Sequence, residues 1–170
     1  EAIDYKTLEV SFEWGLVKLR QRGVLKDVCL EISGVTNADG EHQIKINGQG
    51  VGLTDAPFIL LLRLIQGAMT EKDRWVAVKD LTDENIITES GLYQGIGRFK
   101  EKFEPYLPDR NIDNLIENGQ KRYRLTSSVT SILYDRKKLT SHENGRVQDI
   151  AKKLPQRRRN KSANGLIIYY

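Results

Sequence analysis

The sequence predicts an α+β fold: a short antiparallel sheet first, helices next, and a β-hairpin after them. Three stretches carry that prediction. Residues 28–53 hold short strand-like runs broken by Asn/Gly turns, and residues 54–67 form a run that is apolar over most of a helix circumference. Residues 86–125 then read as one amphipathic helix followed by a tight hairpin.

Taken in order, residues 4–22 place Leu8, Phe12, Leu16 and Leu19 at helical intervals, with Tyr5 and Val17 near the same stripe, and Gly23 offers a stop. Val10, Phe12 and Trp14 would also suit strand alternation; helix is the preferred reading, with packing or contact with a neighbour as its role. Residues 28–32 and 43–46 are strand candidates on either side of the Asn37–Gly40 turn, and Asn47-Gly48 leads tightly into residues 50–53. Three such short strands cannot stand alone and must lean on a helix. Thr54 is placed to cap that helix and Pro57 is tolerated in its first turn, while Phe58, Leu61, Leu62 and Ile65 line one face. A shorter helix is expected around Lys79–Glu84, with Trp75 and Leu81 as anchors. Asp80, Asp83 and Glu84 read as a solvated helix end rather than an acid cluster.

In the last of the three stretches Thr88 or Ser90 can cap a helix over 88–106, whose buried stripe is Leu92, Ile96, Phe99 and Phe103. Gln94, Arg98, Glu101 and Lys102 occupy its other side, and Pro105 to Pro108 ends it. Asn118-Gly119 suits the positive φ angles of a type I′ turn between strands 115–117 and 121–125. A helix bearing Arg98 and Lys102, followed by a hairpin bearing Lys121, Arg122 and Arg124, has the chemistry of a winged helix: one rod for a groove and one basic wing for the adjacent phosphates. The alternative is a surface helix and hairpin with ordinary solvated charges.

Three pieces in this order resemble the OmpR/PhoB-type winged-helix DNA-binding domain. Leu53, Thr54, Phe58, Leu61 and Leu64 match the family's Leu-Thr entry into its first helix. Ile96, Phe99, Lys100, Lys102 and Phe103 are similar to its recognition-helix pattern, and Ile116, Tyr123, Arg124 and Leu125 to its wing. The chain departs from the family in a wing one residue shorter, in lacking Gly before Tyr123, and in Gly95 and Gly97 within the recognition helix. Those glycines either permit close approach of another backbone or make the helix less regular. The resemblance covers about residues 28–125 and implies a winged helix-turn-helix with an N-terminal sheet, a three-helix core and a C-terminal wing. The expected organisation is an N-terminal helical extension (1–27), that domain (28–125), and a basic C-terminal extension (126–170).

In the extension a strand is expected through Ile132–Tyr134 and a helix over 143–154, capped by Ser141 and striped by Val147, Ile150, Ala151 and Leu154. Pro155 stops it, a basic linker follows, and the apolar LIIYY end would join a sheet edge or dock on a partner. The net charge of +4 is segregated: residues 136–161 hold ten Lys or Arg against Glu143 and Asp149, a net of +8, which leaves −4 for the rest. Such clustering suits a polyanion, although a solvated tail reads the same way.

Composition narrows the function. With 39% apolar and 29% charged residues, no 18-residue apolar run and one cysteine, the chain reads as a cytoplasmic, membrane-free protein without internal disulfides. Cys29, in a strand-like run, reads as a small core group. His42 and His142 lie a hundred residues apart with no ligand or triad spacing, so neither a metal, a cofactor nor an enzyme activity is expected. The expected function is a transcription regulator that binds double-stranded DNA sequence-specifically. Gln94, Arg98 and Glu101 would lie near base edges, Tyr93 would contact either a sugar or the core, Lys102, Lys121, Arg122 and Arg124 would hold phosphates, and Arg157, Arg158 and Arg159 would add tail contacts. A second copy or a partner protein would engage the two extensions. The competing expectation is a winged helix used as a protein-interaction or assembly module.

Overall fold

The computed structural model describes residues 27–156, 160–161 and 167–169. The N-terminal extension, except Asp27, and Arg157–Arg159 lie outside the described residues. Strands β1 (Val28–Thr36), β2 (His42–Ile46) and β3 (Gln49–Leu53) form an antiparallel meander. Asn47 and Gly48 turn β2 into β3 with φ of 50° and 82°, the pair of positive angles a two-residue hairpin loop needs. Asn47 also ties the turn inward: its Oδ1 accepts from the Cys29 amide at 2.9 Å and its Nδ2 donates to the Tyr106 carbonyl at 3.3 Å.

Helix α1 (Asp55–Thr70) follows, buried without interruption from Pro57 to Ala68. Thr54 occupies the capping position, but its side chain makes no capping bond. Strand β4 (Val76–Ala77), helix α2 (Val78–Asp83) and helix α3 (Glu89–Phe103) come next. Thr88 caps α3 by accepting from the Gly91 amide at 3.1 Å. Leu92, Phe99 and Phe103 are buried as the stripe requires, Ile96 is only partly so, and Gly95 replaces it at the closest contact. A Cβ on Gly95 would sit 3.1 Å from Leu60 Cδ2, so this glycine lets α3 approach α1, whereas one on Gly97 would meet open space. The helix stops at Phe103, and residues 104–106, 108–110 and 112–114 form successive 3₁₀ turns.

The hairpin is β5 (Ile116–Gly119) and β6 (Arg122–Leu125), and β4 joins it to give a sheet of order β4-β6-β5. Its turn is not at Asn118-Gly119 as the dipeptide suggests. Those residues pair with Tyr123 and Arg122, and Gln120-Lys121 make the turn, with Lys121 at φ 52°. Burial decides the register, because this pairing sends Ile116, Tyr123 and Leu125 inward. Gly119 is needed inside the strand, where a Cβ would lie 2.9 Å from the Trp75 ring.

Buried residues on both sides of residue 125 belong to one hydrophobic cluster. Strand β7 (Val129–Tyr134) pairs in parallel with β1, giving the order β3-β2-β1-β7, which β9 (Ile167–Tyr169) and β8 (Asn160–Lys161) extend. Helices α4 (Arg136–Thr140) and α5 (Gly145–Lys153) then pack together, α5 also against α1. Asn144, not Ser141, caps α5, accepting from the Arg146 amide at 3.0 Å. Val129, Ile132, Leu139, Val147 and Leu154 belong to the same buried cluster as α1. A parallel strand beside β1 cannot be seen in local pattern, since its partner lies a hundred residues away. The fold is α+β, with a mixed sheet and a small antiparallel sheet, and α1 packs against α3, α5 and strands β4 and β6 of the small sheet. Among the described residues no helix is long and apolar enough to cross a membrane.

Arg63, the one buried charge of α1, is 7% exposed and forks onto Glu84 through Nε–Oε2 at 3.1 Å and Nη2–Oε1 at 3.3 Å. Glu84 is therefore not a plain solvated helix end: it neutralises a buried guanidinium. Glu84→Ala should cost about 1–3 kcal/mol, read as a lower urea midpoint at unchanged slope. Arg63→Met combined with Glu84→Ala should recover part of that loss, and a double variant no better than Glu84→Ala would refute this role for the pair.

Candidate nucleic-acid interface

Alternation along a strand determines what the hairpin can present. On β6, Tyr123 and Leu125 face the core, so Arg122 and Arg124 must face the other way. There both guanidinium groups lie over the ring of Trp75, at 4.4 and 4.3 Å from its centroid. Arg124 is held further: Nε and Nη2 each lie 2.8 Å from Glu117 Oε2, and Nη1 donates to the Asp73 carbonyl at 3.3 Å. Behind them Arg74 is buried at φ 66°, its Nη2 3.5 Å from the Thr126 carbonyl, and burial together with Arg124 lowers its pKa. Arg122 and Arg124, expected among the phosphate ligands, are thus engaged by Trp75 and Glu117 on the side of the hairpin opposite Tyr123. They form a cation–π stack on the outer face of the small sheet, away from the face that carries Tyr123.

On the inner side of the same hairpin a groove separates it from α3. Lys79 of α2, Glu89 and Tyr93 of α3, and Lys121 and Tyr123 of the hairpin border a groove of about 640 Å³. Tyr93 is 66% exposed, one of the largest apolar surfaces the described chain leaves to solvent. Burial, with Tyr93 beside it, pushes the Tyr123 phenol up and keeps it a neutral donor. Lys79 was not among the expected site residues, although its place in the first turn of a short helix before a capped second one is a readable signal.

Along α3, Gln94, Arg98 and Glu101 are exposed on the solvent side, and Arg98 has no charge partner among the described residues. Lys102 is half-buried and turns toward the large sheet, 3.5 Å from Glu41 Oε1. The helix therefore presents a central strip of Gln94 and Glu101, with Tyr93 on the hairpin flank and Arg98 on the flank shared with Lys102. Over residues 76–125 there are eight Lys or Arg and nine Asp or Glu, a net of −1. Exposed cations not engaged by acids are Lys79, Arg98, Lys100 and Lys121 among the described residues of α2, α3 and the turn.

The two histidines do meet in space. His42, 1% exposed, stacks on Phe58 at 3.9 Å between ring centroids, and its Nε2–H donates to Asp55 Oδ1 at 2.6 Å. His142 lies 5.0 Å away, centroid to centroid, and its Nδ1 accepts from the Asn144 amide at 3.0 Å. Asn144 Nδ2 in turn reaches Asp55 Oδ2 at 3.3 Å, so this cluster links β2, the start of α1 and the start of α5. Among the described residues no group of three or more His, Cys, Asp or Glu is arranged to hold a metal. Folding alone brings these histidines together, through the β1–β7 pairing that carries residue 142 back to residue 42.

Burial, then the neighbouring His42, lowers the pKa of His142, while Asp55 and Glu143 oppose the shift. The folded state then takes up fewer protons than the unfolded one, so the stability His142 contributes is complete above the ordinary histidine pKa of about 6.5 and is lost as pH falls below it. His142→Gln should reduce the loss of unfolding free energy between pH 7 and pH 5; an unaltered slope would show that His142 does not carry it. Comparison with family models, with curated proteins and with solved structures finds no match for this chain.

Proposed function

We propose that the chain is a winged-helix module that binds double-stranded DNA sequence-specifically, as a transcription regulator does, with α3 entering the major groove. The observation that carries this reading is the order α1-β4-α2-α3-β5-β6 with its sheet β4-β6-β5, which leaves the outer side of α3 free and polar beside a hairpin. Gln94, Arg98 and Glu101 supply donors and acceptors for base edges, and unpaired Arg98 is the side chain best suited to guanine. Lys79 and Lys121, on either side of the groove that holds Tyr93, replace Arg122 and Arg124 as the nearest phosphate ligands. The stacked arginines stiffen the hairpin instead.

A second reading, a winged helix used for protein assembly, draws on the net charge of −1 over residues 76–125 and on the engagement of both hairpin arginines. The two readings differ in a measurable way. In site selection from random duplexes followed by anisotropy titration, Arg98→Ala should cost about 1–3 kcal/mol and relax the preference at one base pair. Lys121→Ala should weaken all duplexes alike and reduce the salt slope by about 1. Arg124→Ala should act chiefly on thermal stability. If no duplex is selected, or binding survives both Arg98→Ala and Lys121→Ala, the assembly reading replaces this one.

A further inference from the structure

The groove between α3 and the hairpin has features that a paired duplex does not use. Tyr93 borders it from α3, 66% exposed, with Glu89 one helical turn before it, and Tyr123 and Lys121 border it from the hairpin. A major groove offers α3 base edges and, along its borders, phosphates. Neither presents a flat surface to the face of an aromatic ring. The exposed ring of Tyr93 suits a flat apolar partner, and in DNA an unstacked base supplies one. At about 640 Å³ the groove lies within the size range of small-ligand sites. Lys79 and Lys121 are the cations that border it, and neither has an acidic partner among the described residues. Lys121 is fixed in place: its φ of 52° is an angle glycine or asparagine adopts more readily, and its carbonyl accepts from the Val78 amide at 3.0 Å. That bond ties the turn to the start of α2, the helix that carries Lys79. Glu89, the one carboxylate bordering the groove, repels phosphate and suits an amino or imino group of a base.

We propose, resting on the winged-helix reading above, that this groove holds one unpaired nucleotide of the DNA that α3 reads. Its base stacks on Tyr93, its flanking phosphates meet Lys79 and Lys121, and its hydrogen-bonding edge faces Glu89 and the Tyr123 hydroxyl. Stacking tolerates any base, because each has a π face, so the preference is for an unpaired position and not for a particular sequence there. Extruding a nucleotide costs least where it has no pairing partner, which makes a bulged duplex the favoured ligand.

The full chain is titrated by anisotropy with the most enriched duplex from site selection, once fully paired and once carrying a single extrahelical thymine beside the site. The bulged duplex should bind about tenfold tighter than the paired one. Tyr93→Ala should bring that ratio to within about twofold, and Tyr93→Phe, which keeps the ring, should preserve it. Arg98→Ala should weaken both duplexes and leave their ratio intact. Permanganate attacks the open face of an unstacked thymine, so it should oxidise the extrahelical thymine about fivefold more slowly in the complex with the unsubstituted chain than in that with Tyr93→Ala. Equal affinity for the two duplexes, or a preference that survives Tyr93→Ala, overturns the proposal and leaves the duplex reading standing. A bulged duplex bound where the paired one is not keeps the nucleotide site and overturns the duplex reading. Binding of neither overturns both.

Discussion

Complete burial of α1 is the constraint from which the rest of this structure follows. A helix apolar on one stripe needs one neighbour, but α1 is buried from Pro57 to Ala68 all the way round and must be covered on every side. The large sheet covers one side through Leu30, Ile44 and Ile132, and α3 another through Leu92, Gly95 and Phe99. The small sheet supplies Val76 and Leu125, and α5 closes the circle with Val147, Ile150 and Ala151. Removal of any one cover would expose several large side chains, each worth about 1.5–3 kcal/mol. That is why residues 126–154 are part of the body and not an attachment to it. Arg63 is tolerated in this environment only because α2 ends with Glu84 against it.

The same constraint separates two kinds of surface on the hairpin. Since Tyr123 and Leu125 must face α1, strand alternation sends Arg122 and Arg124 to the far side, where Trp75 and Glu117 engage them. Asn118, Gly119 and Tyr123 border the groove on the α3 side, and the turn brings Lys121 to it. A hairpin that looks uniformly basic in sequence therefore has a stiffened outer face and a single cation beside the groove. The functional reading consequently rests on α3 and on the turn.

Around the other end of α1, distant polar residues are gathered by packing. Asp55 accepts from His42 and from Asn144, and His142 follows because it lies two residues before that asparagine. The cluster fastens the last two helices to the first hairpin. It places an imidazole with lowered basicity where β2, α1 and α5 meet.

Much of the local structure was legible in the sequence because its cause is local. Turn chemistry at Asn47-Gly48, the Thr88 cap, the 3.6-residue stripes of α1 and α3, and the α+β class all depend on residues within a turn or two of one another. Where local signals met a global demand they lost: Asn118-Gly119 is the stronger turn former, yet core registration moved the turn to Gln120-Lys121. The sequence by itself determined most of the helices and strands, though not α4 or β4, and the main buried stripes of α1 and α3. Only tertiary structure decided the parallel β1–β7 partnership, the meeting of His42 with His142, the Arg63–Glu84 fork and the side on which Arg122 and Arg124 emerge. Each of those depends on contacts between residues far apart in the chain, and periodicity carries no information about who lies across the gap.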